Sequence, residues 1–176
     1  MKQDQQKMVT AVGTYIMLSQ SLERMLKTLL VVVLPDEPLA DVVTFERKSA
    51  EVGNKSLGYL IRNLKTRANY HPTIEKTLLR YRQRRNQIVH DFHSVPGSNF
   101  ETPDDAANVD TFMTENFDDL YFLIRFFSAL LYSWGPKVGA PFDELPLRET
   151  INDIERKLHF KAMIPILDEL IFSKSS

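Results

Sequence analysis

The 176-residue sequence contains no cysteine, so disulfides, thiolate nucleophiles and cysteine metal sites are excluded. Its six glycines are scattered and form no glycine-rich phosphate-binding loop. No apolar run reaches the roughly 20 residues that span a bilayer. The polar first seven residues are also unlike the apolar block of a signal peptide. These absences predict a cytoplasmic protein with no membrane segment and no cofactor.

Charge is unevenly distributed along the chain, although the net charge is only −1. Residues 54–93 carry nine Lys or Arg residues against two acidic ones, whereas residues 94–176 carry seven against 14. A local positive field can attract a polyanion even when the whole molecule is slightly acidic. Alternatively, the basic segment is a solvated face that the acidic C-terminal third neutralises. Charge alone leaves both interpretations open.

Apolar residues recur every three or four positions, a pattern typical of amphipathic helices. The pattern predicts a long first helix from about Val9, with Val12 and Ile16 on its buried stripe, ended by Pro35. The other predicted helices run from Val42 to Glu51, Leu57 to Arg67, Thr73 to Phe92, Ala107 to Trp134 and Leu147 to Leu158. The helix from Thr73 to Phe92 would pack through Ile74, Leu78, Tyr81, Ile88 and Phe92. Alternating strand patterns are absent. We therefore expect an all-α fold, a four-helix-type bundle over residues 1–134 with a C-terminal helical extension over residues 135–176 packed on the same domain.

The segment Arg85-Asn86-Gln87-Ile88-Val89-His90, late in a predicted helix, carries the residues best suited to chemistry. Cleaving RNA without a metal requires a proton acceptor for the 2′-hydroxyl and a cation for the phosphorane. Histidine suits the first task and arginine the second. Positions 85 and 90 lie about 140° apart on a helix, so a single copy would not easily hold one phosphate with both. Asn86 and His90 are four residues apart, and a hydrogen bond between them would set the imidazole tautomer.

This segment resembles the Arg-x(4–6)-His motif of HEPN domains, in the form in which a polar residue follows the arginine. Ser56-Leu57-Gly58-Tyr59-Leu60-Ile61 is similar to the start of the preceding helix in such domains, and the resemblance covers about residues 8–134. It implies a HEPN-like bundle and a metal-independent endoribonuclease that leaves 2′,3′-cyclic phosphate ends. Arg85, Asn86 and His90 would be catalytic. It also implies a homodimer with a composite site, and a toxin or phage-defence effector that an antitoxin or regulatory protein restrains.

Three further cationic residues surround the motif, and we expect them to contact RNA phosphates: Arg82, Arg84 and His93. Arg82, Asn86, His90 and His93 follow one another at helical spacing and so lie on one stripe. The same residues would also suit an ordinary solvated helix face.

A second function remains open, a non-catalytic HEPN-like dimeric module that binds a partner protein or a nucleotide. In that case Arg85 would be structural, paired with Asp91 or with the acidic C-terminal third. His90 would then be a cation favoured near a helix C-terminus. Glu23 is expected only to pack or to pair with a charge. A metal site is not predicted, because His90 with Asp91 or with His93 lacks the remaining ligands.

Overall fold

Five α-helices make up most of the chain that the computed structural model describes, which is residues 2–134 and 171–173. They are α1 (Lys2–Thr28), α2 (Val42–Gly53), α3 (Leu57–Arg67), α4 (Pro72–His90) and α5 (Pro103–Trp134). A π-helical turn, Leu29–Val33, continues α1, and a 3₁₀ turn, Phe92–Ser94, follows α4. None of the described helices is both long and apolar enough to cross a lipid bilayer.

Side-chain caps and proline fix where the helices begin. The Asp41 carboxylate accepts a hydrogen bond from the Thr44 backbone N–H at 2.7 Å and caps α2. The Ser56 hydroxyl similarly accepts from the Tyr59 N–H, so α3 begins at the residue that the sequence predicts. Pro72 opens α4, where its missing N–H leaves no helical hydrogen bond unmade.

Four of these helices contact one another in a ring, in the order α1, α5, α4 and α3. The helix α2 packs outside the ring, against α1 and the π-helical turn. Leucine, isoleucine and phenylalanine side chains fill the centre, and the fully buried ones include Leu22, Leu26, Leu60, Leu64, Ile74, Leu78, Phe126 and Phe127. Burying each such side chain contributes about 1.5–3 kcal/mol. The prediction of an all-α helical bundle is therefore confirmed for this part of the chain.

The predicted buried face of α1 is only partly confirmed in the first half of the helix. Val12 and Ile16 are half-buried, and Val12 packs against the core. The Tyr15 ring takes the inner position and packs edge-on against Phe117, with 5.6 Å between the ring centroids. The predicted stripe left out Tyr15 and Ser19, whereas the structure buries a stripe made of Met8, Tyr15, Ser19, Leu22 and Leu26.

Two short strands depart from the purely helical prediction. The strand β1 (Ala68–Tyr70) pairs antiparallel with β2 (Ile171–Ser173), and Ala68 lies opposite Ser173. Strands of three residues are too short to show the alternation by which strands are recognised in a sequence. The predicted helix from Leu147 to Leu158, and the rest of the predicted extension apart from β2, lie outside the described residues.

Candidate nucleic-acid cleavage site

The helix α4 carries the predicted catalytic residues on two different faces. Its inner face packs into the bundle through Ile74, Leu78, Tyr81 and Ile88. Arg85 extends this inner face, whereas Arg82, Asn86 and His90 are exposed. The three exposed positions fall within an arc of about 80° on the helix. The structure thus brings Asn86 and His90 onto one surface and separates Arg85 from them.

Arg85 forms an ion pair that joins α4 to α1. Its Nη2 atom donates to the Glu23 Oε1 atom at 3.0 Å, and the two side chains are 23% and 20% exposed. The expected charge pairing of Glu23 is therefore confirmed. Arg85 pairs with neither Asp91 nor an acidic residue of the C-terminal third in the described part of the chain. Because the pair is mostly shielded from solvent and hydrogen-bonded, it holds the guanidinium more firmly than a surface pair would.

A group of buried polar atoms lies beside Arg85. The hydroxyls of Tyr15, Ser19 and Tyr81 and the Nε atom of Arg85 are buried. Within the described structure none of these atoms has a hydrogen-bond partner at normal geometry, although the Ser19 hydroxyl lies near both phenols. Burial raises the pKa of Tyr81 to about 12 and lifts the pKa of Tyr15 well above its ordinary value. Both phenols therefore stay protonated at neutral pH. Buried polar atoms without partners cost free energy, so this layer stands out from the apolar core.

His90 is the last residue of α4, and its imidazole is exposed. The predicted hydrogen bond between Asn86 and His90 is not formed, and in residues 2–134 and 171–173 no other side chain bonds the imidazole. Both side chains point into solvent, where water competes for their hydrogen bonds. The turn that follows is fixed, because the Gln87 Nε2 atom donates to the Ser94 carbonyl and hydroxyl oxygens at 3.1 Å each. The backbone of His90 is thus held while its ring stays open to a substrate.

The three residues predicted to contact RNA have different surroundings. The Arg84 Nη2 atom donates to the Glu115 carboxylate at 2.6 Å, so its charge is already compensated inside the fold. His93 is 88% exposed and its Nε2 atom lies 2.9 Å from an Asp91 oxygen. Arg82 is exposed and forms no ion pair with any described acidic residue. Of the three, Arg82 is the cation best placed to meet a phosphate.

Sequence reasoning missed most of what surrounds Arg85. Tyr15 and Ser19 stand four residues apart on a stripe that continues through Leu22, and this spacing was the available signal. Tyr81 was predicted as an apolar packing residue, and it is fully buried as expected. The sequence does not show that the Tyr81 hydroxyl would be buried near Arg85, which lies one helical turn away on α4.

No three His, Asp or Glu side chains in the described ranges gather into a group that could hold a metal ion. Comparisons with protein-family models, with curated proteins and with solved structures find no match to this chain.

Proposed function

We propose that this chain is a metal-independent endoribonuclease, a role compatible with a toxin or phage-defence effector. One observation carries the proposal. Glu23 anchors Arg85 at the edge of the bundle, while His90, at the end of the same helix, is exposed and has no hydrogen-bond partner among the described side chains. An anchored cation and an available imidazole are the two groups that metal-free RNA cleavage needs.

In the proposed reaction the neutral imidazole of His90 accepts the proton of a 2′-hydroxyl. The 2′-oxygen attacks the adjacent phosphorus, and the bond between phosphorus and the 5′-oxygen breaks. The leaving 5′-oxygen takes up a proton from water, so the products are a 2′,3′-cyclic phosphate and a 5′-hydroxyl, and the imidazolium of His90 then returns its proton to solvent. Arg85 donates hydrogen bonds to the phosphorane oxygens, where negative charge accumulates. Asn86 lies on the face of His90 and is the candidate for orienting its ring in the bound complex.

The separation of the two groups on α4 calls for a second copy of the chain. Five residues place Arg85 and His90 about 7.5 Å apart along the helix axis and about 140° apart around it. One phosphate cannot easily contact both side chains of a single helix with this geometry. Two α4 helices related by a two-fold axis could bring Arg85 of one copy and His90 of the other to the same phosphate. The proposal therefore includes a homodimer.

The test is cleavage of total cellular RNA by the purified protein in EDTA. We expect the wild type to cleave and His90→Ala to lose at least about 100-fold in rate, because general acid–base catalysis contributes about 10²–10⁴-fold. Mass spectrometry of the products should find 2′,3′-cyclic phosphate ends. His90→Ala should remain folded and dimeric, because His90 is exposed and its ring forms no hydrogen bond or ion pair with a described side chain.

A matched control for Arg85→Ala is Arg125→Ala, which removes an exposed arginine from α5. The helices α4 and α5 run antiparallel, because Asp119 pairs with Arg80 and Glu115 pairs with Arg84. This register places Arg125 near the start of α4, about 24 Å along the axis from His90. We expect Arg85→Ala to lose cleavage and Arg125→Ala to retain it. Cleavage by His90→Ala at the wild-type rate would contradict the proposal.

A non-catalytic dimeric module is the second candidate, and one observation favours it. The charge of Arg85 is already balanced by Glu23 within one chain, as expected of a purely structural arginine. Such a module would bind a partner protein or a nucleotide without cleaving RNA. Absence of cleavage by both the wild type and His90→Ala, with the dimer retained, would favour this function.

A further inference from the structure

The outer edges of α3 and α4 form one continuous surface. The two helices run antiparallel, because Lys65 pairs with Glu75 at one end and Arg82 reaches Gly58 near the other. The Arg82 guanidinium lies so close to α3 that a Cβ atom on Gly58 would stand 3.2 Å from its Cζ atom. Glycine therefore leaves room for this cation to lie across the two helices. Arg62, one helical turn beyond Gly58, lies on the same side of α3.

Among the arginines of α4, only Arg82, on this edge, has no acidic partner in the described structure. On the opposite edge, toward α5, Asp119 pairs with Arg80 and Glu115 pairs with Arg84. On the α3 side, the described ion pair is that of Lys65 with Glu75, which lies at the other end of the two helices from Arg82. We use the name α3–α4 face for the residues Lys55, Gly58, Arg62, Arg82, Asn86 and His90.

The cations of the α3–α4 face have few partners inside the described structure. Arg62 and Arg82 are exposed and form no ion pair with a described acidic residue. The Lys55 Nζ atom lies over the Tyr59 ring, 5.2 Å from its centroid, and has no acidic partner there either. Exposed arginines that lack internal partners are suited to phosphate, because their fork of donors matches phosphate oxygens.

We propose that the α3–α4 face binds the sugar–phosphate backbone of single-stranded RNA and leads it to His90. The ligand class rests on the ribonuclease activity proposed above. The antiparallel register places Arg62 level with Leu78, so the face extends over about 18 Å from Arg62 to His90. A single strand fits better than an A-form duplex, whose 2′-hydroxyls cannot align with the scissile bond without distortion.

The test measures binding without cleavage, using the wild-type protein and a fluorescent 2′-O-methyl oligouridylate, which lacks the attacking hydroxyl. Anisotropy titrations over a range of salt concentrations give the slope of log K against log salt. Each lost phosphate contact should reduce the magnitude of that slope by about 0.7 for a single strand. If the variants bind as tightly as the wild type at 1 M salt, Arg62→Ala and Arg82→Ala should each bind about fivefold more weakly than the wild type at 0.1 M salt.

Arg125→Ala is the matched control and should leave the slope unchanged. Arg62 is exposed and has no ion-pair partner among the described residues, so Arg62→Ala keeps the test valid even if Arg82→Ala disturbs α3. An equal loss of slope in Arg125→Ala and Arg62→Ala would overturn the proposal, as would the absence of binding by the wild type at low salt. Binding that depends on Arg62, with no cleavage of natural RNA, would support the face while refuting the nuclease. Cleavage with an unchanged KM in both face variants would refute the face alone.

Discussion

Replacing Glu23 with glutamine removes the charge that faces Arg85 and keeps nearly the same side-chain shape. An exposed ion pair contributes about 0–1 kcal/mol, whereas leaving a fully buried charge unpaired costs about 3–5 kcal/mol. The Glu23 and Arg85 side chains are 20% and 23% exposed, with 3.0 Å between the paired atoms, so this pair lies between the two limits. Glutamine still offers an oxygen to the guanidinium. We therefore expect Glu23→Gln to lower the free energy of unfolding by about 2 kcal/mol.

Urea denaturation followed by circular dichroism measures this change, and Glu115→Gln provides the matched control. Glu115 also pairs with an arginine of α4, Arg84, but its side chain is 55% exposed. Solvent screening should limit the cost of Glu115→Gln to about 0.5 kcal/mol. The two variants make the same chemical change opposite an arginine of α4. They differ in burial, and Arg84 also keeps a second acidic neighbour, because its Nη1 atom lies 3.8 Å from an Asp119 oxygen.

A double-mutant cycle separates the pair from other effects of each substitution. With Arg85→Met as the second change, we expect a coupling energy between Glu23 and Arg85 of about 1–2 kcal/mol. If Glu23→Gln costs no more than Glu115→Gln, burial does not strengthen the pair, and the argument that Glu23 anchors Arg85 fails. This measurement concerns folding alone, so it stands whatever the RNA-cleavage assay finds.

Two further predictions concern stability. Gly13→Ala should stabilise the protein by about 0.5–1 kcal/mol, because no described atom other than those of its chain neighbours and the local helix backbone lies within 4 Å of the added Cβ atom in α1. Gly58→Ala should increase the free energy of unfolding by less, because the Arg82 guanidinium must move to make room for the added Cβ atom. Equal increases for the two variants in urea denaturation would contradict the close approach of Arg82 to Gly58. Hydrogen bonding to Lys48 lowers the pKa of Asp36 in the folded protein. The ionised Asp36 carboxylate therefore stabilises the fold above the unfolded pKa of about 3.9, and this stabilisation is lost as the pH falls further. Comparing urea midpoints of the wild type and Asp36→Asn at pH 5 and pH 3 should show their difference shrinking at the lower pH, and a constant difference would contradict this linkage.

Local signals in the sequence were enough to place most helices of the bundle. The start of α3 follows from the Ser56 cap, and its end follows from the point where the short apolar stripe stops. Both signals lie within a dozen residues of the chain. For α4, four of the five residues of the predicted packing stripe are buried, namely Ile74, Leu78, Tyr81 and Ile88. The fifth, Phe92, is half-buried and lies in the turn after the helix. Capping and helical periodicity depend on neighbours in the chain, so they can be read without knowledge of the fold.

Contacts between distant parts of the chain could not be read in this way. Glu23 meets Arg85 across 62 positions, and only the packing of α1 against α4 brings them together. The inner position of Tyr15 likewise depends on the Phe117 ring of α5. The pairing of β1 with β2 joins residues about 100 positions apart, through strands too short to carry a pattern. The motif identifies the candidate residues, but their surroundings depend on contacts between helices that are distant in the chain.

The different surroundings of Arg85 and His90 suit the different tasks proposed for them. A cation that stabilises a phosphorane must keep its position, and Glu23 holds one edge of the guanidinium while leaving the Nη1 edge without a described partner. A general base must exchange a proton with its substrate, which an exposed imidazole can do. The helix that separates these environments also keeps the two groups from sharing one phosphate within a single chain. In this proposal the fold therefore prepares each group, and the meeting of two α4 helices completes the site.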